Sequence, residues 1–375
     1  MPADQASMPA CHSGVRIEHG QAGAYTIPTD KAEADGTMQW TSTTLVVVEV
    51  SGGGQTGLGY TYSDASIVSL IEHKLLAGAM QHDALDPPAA CQAMQRAVRN
   101  MGREGLAATA ISAVDTALWD LKARLLGVPL ASLFGRYRPA VPIYGSGGFT
   151  TYNDDELREQ LAGWVQRDGC RWVKMKVGSQ PEDDPRRVAA ARAAIGTHAL
   201  FVDANGAYAA KQALLLAGRF ADHGVTWLEE PVSSDDLAGL RLIRQRVPAG
   251  MEVAAGEYAY TADYVRGMLQ AAAVDVLQAD VTRCLGFTGW LQAASLCDAH
   301  HIDLSAHCAP SLHLHAACAA PRLRHLEWFH DHVRIEHMLF DGAPVPRDGM
   351  IQPDLSRPGH GLTFKRQDAD RYRER

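Results

Sequence analysis

The second half of the chain alternates short apolar runs with helical stretches, and nearly every run ends on a titratable residue. The runs are Trp172–Val177, Leu200–Asp203, Val225–Glu230, Glu252–Glu257, Val274–Asp280, Ile302–His307 and His325–Trp328. Continuous apolar strands that alternate with helices are typical of a parallel sheet buried on both faces. The run-to-run spacing of roughly 20–28 residues is that of a (β/α) barrel. The pattern begins near Val141 and supplies seven or eight units, enough to close a barrel.

The first part of the chain follows a different pattern. Thr43–Val50 is β-branched and predicts a strand that ends at the glycine-rich turn 51–54. The polar stretch Ala24–Gln39 is too long and irregular for a hairpin turn, so we expect a functional flap or a mobile insert. Apolar residues recur at helical spacing from Ala110 to Leu121, and Gly127 ends that helix.

Composition excludes several classes of protein. Apolar residues make up 46% of the 375 residues, enough for a large core, and the net charge of -8 comes without the basic stripe that nucleic-acid binding requires. No apolar run approaches the ~18–20 residues of a membrane span. The first residues contain no signal-peptide pattern. Seven scattered cysteines suit a reducing compartment. We therefore expect a cytoplasmic protein that contacts neither nucleic acid nor membrane.

Three acids, Asp203, Glu229 and Glu257, end consecutive strands. Active sites of barrels are built at the carboxyl ends of the strands, where these carboxylates would repel one another. A hard divalent cation relieves the repulsion, and an all-oxygen ligand set selects Mg²⁺ or Mn²⁺. The alternative is that each acid stabilises the N-terminus of the helix that follows it.

Lys174 and Lys176 lie two residues apart on one strand, so both side chains point the same way. Projection into the barrel mouth places two cations beside the metal and an anionic substrate. Crowding by Lys174 and the metal should lower the pKa of Lys176 and make it usable as a base. The alternative is an exposed surface pair.

Asp280 and His307 end the next two strands. A carboxylate fixes the tautomer of a neighbouring imidazole and supports its protonated form, which predicts a general acid/base opposite the lysines. A lone histidine is more often structural, and eight others crowd this region. They are His300, His301, His313, His315, His325, His330, His332 and His337.

These motifs together resemble the enolase superfamily, and within it the mandelate racemase subgroup. The matching segments, in chain order, are Ala113–Leu121 with Gly127–Pro129 and Leu133–Gly135, Lys174–Lys176, Val202–Asn205, Leu228–Pro231, Ala255–Glu257, Gln278–Arg283, Ser305–His307 and Leu326–Glu327. The muconate-cycloisomerase branch normally carries a lysine where this chain has Asp280, which argues against that branch.

The resemblance implies an α/β fold, a TIM-like (β/α)7β barrel under an N-terminal α+β capping domain that the C-terminal tail completes. The corresponding divisions are a capping domain at 1–135, the barrel at 136–335 and a returning segment at 336–375. Two cap loops, Ala24–Gln39 and Gly57–Tyr62, are then expected to set specificity. The resemblance also suggests a homo-oligomer.

The implied site contains one Mg²⁺, or alternatively Mn²⁺. Its predicted metal ligands are Asp203, Glu229 and Glu257. The predicted catalytic residues are Lys174, Lys176, Asp280, His307 and Glu327, with Glu327 donating a hydrogen bond to the substrate carboxylate. The predicted substrate-binding residues are Asn205, Tyr25 and Lys31, the last two because the polar cap stretch suits a polyhydroxylated chain.

The expected reaction is dehydration of an acid sugar. The proton next to the carboxylate leaves, a metal-stabilised enediolate forms, and the β-hydroxyl is lost as water to give a 2-keto-3-deoxy acid. Reprotonation of carbon would instead make the enzyme a racemase or epimerase of an α-hydroxy acid. A ligand-binding barrel without turnover and a phosphate-ester enzyme are further alternatives, but the barrel lacks the glycine-rich loop that the latter needs.

Overall fold

A computed structural model describes residues 14–374, which begin with a three-stranded antiparallel sheet in the order β1-β2-β3. The strands are β1 (His19–Ala34), β2 (Gln39–Gly52) and β3 (Gln55–Tyr62). The prediction of a long loop at Ala24–Gln39 is therefore wrong. Strand pairing continues to Ala34 across a register shift between Pro28 and Glu33, and only the four residues 35–38 turn.

Five α-helices follow this sheet along the chain. They are α1 (Ile67–Leu70), α2 (Leu76–Ala79), α3 (Pro87–Ala97), α4 (Leu106–Leu125) and α5 (Leu130–Phe134), with a π-helical turn at Ile71–Leu75. The predicted helix around Ala110–Leu121 is thus confirmed as part of α4. Strand β3 packs directly on α4 because Gly57 and Gly59 lack side chains. A Cβ at Gly57 would lie 2.2 Å from the carbonyl oxygen of Ala117.

Eight parallel strands form a closed barrel, as predicted, since the last strand pairs with the first. The strands are β4 (Val141–Gly147), β5 (Trp172–Lys176), β6 (Ala199–Asp203), β7 (Val225–Glu229), β8 (Glu252–Ala255), β9 (Val276–Ala279), β10 (Asp303–Ala306) and β11 (Leu323–Phe329). The helices are α6 (Asp154–Gln166), α7 (Asp184–Ile195), α8 (Ala210–Ala221), α9 (Leu237–Arg244), α10 (Ala262–Gln270), α11 (Gly286–Ala299), α12 (Pro310–Cys318) and, after the last strand, α13 (His330–Leu339).

Aromatic side chains fill part of the barrel interior. Phe201 stacks on Trp227 with ring centroids 4.9 Å apart, and Tyr144 lies edge-on to Phe201. His325 contacts all three rings and is fully buried, and its pKa is lowered to about 3 because burial disfavours the charged ring. The neutral His325 thus serves as a packing residue, and this apolar layer supports the charged groups at the strand ends.

The tail returns to both parts of the fold. Its elements are β12 (Phe340–Asp341), β13 (Met350–Ile351), β14 (Thr363–Phe364), α14 (Arg366–Ala369) and a 3₁₀ turn at Asp370–Tyr372. Strand β13 extends the barrel sheet beside β4, and His360 binds the carbonyl of Leu58 in the cap. The predicted divisions at 135 and 335 remain predictions. None of the helices between residues 14 and 374 is both long and apolar enough to cross a membrane.

Asp120 on α4 joins three segments, and we expect Asp120→Ala to destabilise the fold. Its buried carboxylate accepts hydrogen bonds from the backbone N–H of Leu58 and of His360, both at 2.9 Å, and pairs with Arg124 at 2.6 Å. Removing one partner of such a buried network costs about 3–5 kcal/mol. Denaturant unfolding measures this loss. The matched control, Asp263→Ala at an exposed ion pair, should cost no more than about 1 kcal/mol, and an equal loss in both variants would contradict the prediction.

Candidate active site

The strand ends bring the predicted groups to one mouth of the barrel. Lys174 and Lys176 belong to β5, and Asp203 and Glu229 are the last residues of β6 and β7. Glu257 follows β8, Asp280 follows β9 and His307 follows β10. Glu327 lies within β11. Glycine is required immediately before Glu257. Gly256 has a φ of +133°, and a Cβ there would lie 2.2 Å from the carbonyl oxygen of Gln278. The chain therefore turns tightly and directs Glu257 into the mouth.

Asp203, Glu229 and Glu257 each offer an oxygen within 4.8 Å of the others, and all three are buried. Burial and the neighbouring Asp203 raise the pKa of Glu229 to about 8. Two buried carboxylate oxygens nearby, Oε2 of Glu257 and Oε1 of Glu230, have no hydrogen-bond partner among the described residues. Unpaired buried carboxylate oxygens are costly. An oxygen-only cluster with unsatisfied oxygens fits a hard divalent cation such as Mg²⁺.

The two lysines point into this cluster, as their spacing predicts. The Nζ of Lys174 lies 2.5 Å from Glu229 and 2.8 Å from Glu327, and the Nζ of Lys176 lies 2.6 Å from Asp203. The expectation of a lowered pKa for Lys176 includes the charge of a bound metal, so it stays a prediction; the protein groups alone act differently. Burial and Lys174 lower that pKa, but the carboxylates, Asp203 foremost, outweigh them and raise it.

Asp280 and His307 form the predicted pair. The Nδ1 of His307 lies 2.8 Å from Oδ2 of Asp280, and the other oxygen of Asp280 accepts the backbone N–H and the hydroxyl of Thr282, both at 2.7 Å. Burial lowers the pKa of His307, but Glu257, Glu327 and Asp280 together raise it. The imidazole therefore donates from Nδ1 and keeps Nε2 for chemistry.

Glu327 joins the two sides of the site, but it does so as an acceptor. Its carboxylate accepts hydrogen bonds from the Ser146 hydroxyl at 2.6 Å and from the Cys308 backbone at 3.1 Å. Burial raises its pKa, but Lys174 and His307 bring it well below the ordinary range. An ionised carboxylate cannot donate, so the expected hydrogen bond from Glu327 to a substrate carboxylate requires Glu327 to gain a proton and stays a prediction.

A cavity of about 280 Å³ opens between the cap and the barrel mouth. Its cap wall consists of Asp35, Met38, Trp40, Ser42, Thr43, Thr44, Tyr62 and Ser63. Its barrel wall consists of Lys176, Asn205, Glu257, Tyr258, Arg283, His307, Cys308, Glu327, Phe329 and His332. Four predicted residues do not line the cavity but lie buried beneath it: Lys174, Asp203, Glu229 and Asp280. Lys174, Asp203 and Asp280 contact the lining residues Glu327, Lys176 and His307, and Glu229 contacts Lys174.

Tyr25 and Lys31 do not line this cavity, in contrast to the prediction that both contact the substrate. Tyr25 is 1% exposed and packs edge-on against Phe364 of the tail, because strand alternation turns it into the core. The Nζ of Lys31 pairs with Glu156 at 2.6 Å beside a different cavity. The cap stretch that contains them instead supplies Asp35 and Met38 to the cavity wall.

Sequence reasoning missed several residues at the mouth. Arg283 lies 3.0 Å from Glu257 and 3.7 Å from Asp280, and its position three residues after Asp280 is the signal that could have found it. Cys308 follows His307 directly. Trp40 and His332 carry no such signal, because only the packing of the cap on the barrel brings them to the cavity.

Two related enzymes, a cycloisomerase and a dehydratase, are similar in sequence to most of this chain. It is 33% identical to 3,6-anhydro-alpha-L-galactonate cycloisomerase of Streptomyces coelicolor, over 93% of this chain and 97% of that protein. It is 30% identical to L-talarate/galactarate dehydratase of Salmonella typhimurium, over 87% of this chain and 82% of that protein. The latter's crystal structure with Mg and L-lyxarohydroxamate matches with a TM-score of 0.89 at 28% identity, over 100% of this chain and 97% of that one.

A more similar solved structure is that of a mandelate racemase/muconate lactonizing enzyme-like protein from Rubrobacter xylanophilus. It is 55% identical with a TM-score of 0.93, over 96% of this chain and 100% of that one. The model of the mandelate racemase/muconate lactonizing enzyme N-terminal domain matches residues 26–135, and that of the enolase C-terminal domain-like family matches residues 156–369. This chain therefore belongs to the mandelate racemase/muconate lactonizing enzyme group of the enolase superfamily.

Proposed function

We propose that this protein is a Mg²⁺-dependent acid-sugar dehydratase. The observation that carries the proposal is the placement of two proton-transfer groups on two sides of one carboxylate cluster. Lys176 lies beside Asp203, and Nε2 of His307 lies 3.4 Å from Glu257. The cycloisomerase and dehydratase relatives support sugar acids as the substrate class.

Asp203, Glu229 and Glu257 would hold the metal. When bound, Mg²⁺ supplies the positive charge that balances these carboxylates and stabilises the negative charge developing on the substrate carboxylate. With Asp203 neutralised, burial and Lys174 are the main remaining influences on Lys176, and both lower its pKa. Lys174 adds a fixed, buried positive charge next to the same cluster.

Lys176 takes the proton from the carbon next to the carboxylate, and the substrate becomes an enediolate. The bond between the β-carbon and its oxygen then breaks, and His307 gives its Nε2 proton to the departing oxygen. Loss of a hydroxyl releases water and leaves an enol, which becomes the 2-keto-3-deoxy acid. A β-oxygen that belongs to a ring would leave by the same step, so ring opening is the second candidate reaction, favoured by the cycloisomerase relative.

The cap wall indicates a substrate with one carboxylate. Among the described residues, neither lysine nor arginine lines that wall, and its one ionisable acid is Asp35. Hydroxyls of Ser42, Thr43 and Ser63 and the indole of Trp40 make up much of the rest. A second carboxylate at the far end of a substrate would lie near Asp35 without a cation to balance it, whereas hydroxyl groups would find donors and acceptors.

His332 does not supply the missing charge. It lines the cavity, stacks on Tyr62 with ring centroids 3.5 Å apart and accepts the backbone N–H of Ala309 at Nδ1. Burial lowers its pKa to about 3, so the ring is neutral. With Nδ1 accepting, Nε2 carries the proton and can bind a substrate hydroxyl. The wall thus suits an uncharged polyol chain.

A screen of matched acids tests the function and this substrate class together. The Mg²⁺-loaded protein is offered aldonic acids, the aldaric diacids of the same configuration and 3,6-anhydro sugar acids, and 2-keto products are trapped with semicarbazide. We expect product from a monoacid, with kcat/KM at least about 100-fold above that of its matched diacid, since an unbalanced like charge costs several kcal/mol.

The screen distinguishes failure of the single-carboxylate assignment from failure of the dehydratase assignment. A preferred diacid would overturn the single-carboxylate assignment and leave the dehydratase intact. If no acid gives a keto product, exchange of the α-proton is followed in D₂O. Exchange without elimination would make the protein a racemase or epimerase, and the absence of exchange with every acid would contradict catalysis at this site.

A further inference from the structure

We propose that His307, Cys308 and Glu327 form a second, inhibitory metal site that takes Zn²⁺. All three are buried side chains at the ends of neighbouring strands, and each also lines the cavity. A metal can therefore reach them from the cavity. The site differs from the oxygen-only cluster of Asp203, Glu229 and Glu257 because its ligand set contains a thiol and an imidazole.

The geometry of the three ligand atoms is that of one face of a zinc tetrahedron. Sγ of Cys308 lies 3.4 Å from Nε2 of His307 and 3.4 Å from Oε2 of Glu327, and Nε2 lies 3.6 Å from that same oxygen. A tetrahedral zinc ion with bonds of about 2.0–2.3 Å separates neighbouring ligand atoms by roughly 3.3–3.6 Å. The three atoms already have this spacing, so binding requires little rearrangement.

The surroundings of His307 favour a metal at Nε2. Zinc-binding histidines almost always donate their other ring N–H to a carboxylate or carbonyl. Here Nδ1 lies 2.8 Å from Asp280, which leaves Nε2 unprotonated whenever the ring is neutral. A water would supply the fourth ligand, since Oε2 of Glu257, 3.4 Å from Nε2, belongs to the carboxylate cluster assigned to Mg²⁺.

Ligand softness separates the two metal sites. Thiolate and imidazole select Zn²⁺ and Cd²⁺, whereas three carboxylates suit Mg²⁺. Burial raises the pKa of the Cys308 thiol, and Glu327 raises it further, so the thiol keeps its proton until a metal displaces it. Binding then releases that proton to solvent and exchanges a weak S–H contact with Glu327 for a metal–sulfur bond.

Occupation of this site blocks the proposed reaction, because the metal takes the His307 nitrogen that protonates the leaving oxygen. Zn²⁺ should thus inhibit at saturating Mg²⁺, reversibly on addition of a zinc-selective chelator. The inhibition rests on the proposed function, whereas the binding of the metal does not. The two therefore need separate readouts.

Cd²⁺ supplies the readout that is independent of activity, through the ultraviolet charge-transfer band of a cadmium–thiolate bond. The Mg²⁺-loaded protein should show this band with one equivalent of Cd²⁺, and Cys308→Ser should remove it. The matched control is Cys11→Ser, which changes a thiol outside the described residues and should keep the band. In the activity assay, Cys308→Ser should raise the Zn²⁺ concentration for half-inhibition by about 10–100-fold, relative to its own zinc-free rate.

Cys308→Gly is a second variant that removes the thiol and is expected to fold, because Cys308 has a φ of +52°, a conformation that glycine adopts without strain. Circular dichroism and the thermal midpoint confirm that each variant is folded. Unchanged zinc inhibition in both Cys308 variants would overturn the proposal and place the inhibitory ion on the carboxylates. Loss of the cadmium band in Cys11→Ser alone would overturn it as well. A cadmium band that requires Cys308, in a protein that turns over no acid, would support the metal site while refuting the dehydratase.

Discussion

Lys176→Met is expected to lower kcat/KM for the preferred acid by about 10³-fold or more, which lies within the range that a positioned general base contributes. Methionine keeps the length and apolar stem of lysine but has no proton acceptor of comparable strength. Among residues 14–374, only Asp203 and Asn205 bind the Nζ of Lys176, so the substitution removes the base and leaves Lys174, 3.5 Å from Asp203, in place.

Two measurements separate loss of the base from collapse of the site. Mn²⁺ binding followed by electron paramagnetic resonance should persist in Lys176→Met, because the three metal-binding carboxylates remain. Exchange of the α-proton in D₂O should be lost together with elimination. Retained exchange would show that another group removes the proton.

Lys31→Met is the matched control. Lys31 carries the same functional group and lies in the cap, but its Nζ is paired with Glu156 on α6, outside the cavity. We expect its kcat/KM to stay within about threefold of the unmodified protein, since an exposed ion pair contributes little. A loss as large as that of Lys176→Met would mean that the cap closes over the substrate in a different arrangement.

The chemistry of the strand ends could be predicted from the sequence because strand geometry is local. The two-residue repeat places Lys174 and Lys176 on one face, and the carboxyl ends of parallel strands meet at one mouth, so Asp203, Glu229 and Glu257 converge. No long-range information was needed for that step. The barrel strands and α4 were predictable because apolar periodicity and segment length are also local; closure followed from the number of units.

The cap residues could not be assigned in this way. Whether Lys31 reaches the substrate depends on Glu156, 125 residues later, which binds it first. The polar composition around Tyr25 predicts a loop, but Tyr25 belongs to a paired strand whose alternation buries it against Phe364. The pKa of Lys176 also depends on a residue of another strand. The Asp203 carboxylate, 2.6 Å from Nζ, raises it, so the predicted lowering requires a cation that balances Asp203.

Substitution of His307 by asparagine is expected to separate proton removal from elimination. Asparagine can still accept or donate a hydrogen bond but cannot give up a proton, so the departing oxygen leaves unassisted. We expect keto-acid formation to fall by about 10²–10⁴-fold. Exchange of the α-proton with D₂O should continue, because Lys176 is intact. This result would assign the base to Lys176 and the acid to His307.

The opposite pattern would reverse the two roles. If His307→Asn abolishes exchange while Lys176→Met retains it, the imidazole is the base. His330→Asn is the control, since His330 pairs with Asp30 at 3.0 Å beside the neighbouring cavity and should leave both rates near their original values. Loss of exchange in both catalytic variants would contradict the division into one base and one acid, because neither group alone would then form the enediolate. The three outcomes therefore assign the base and the acid within one pair of variants.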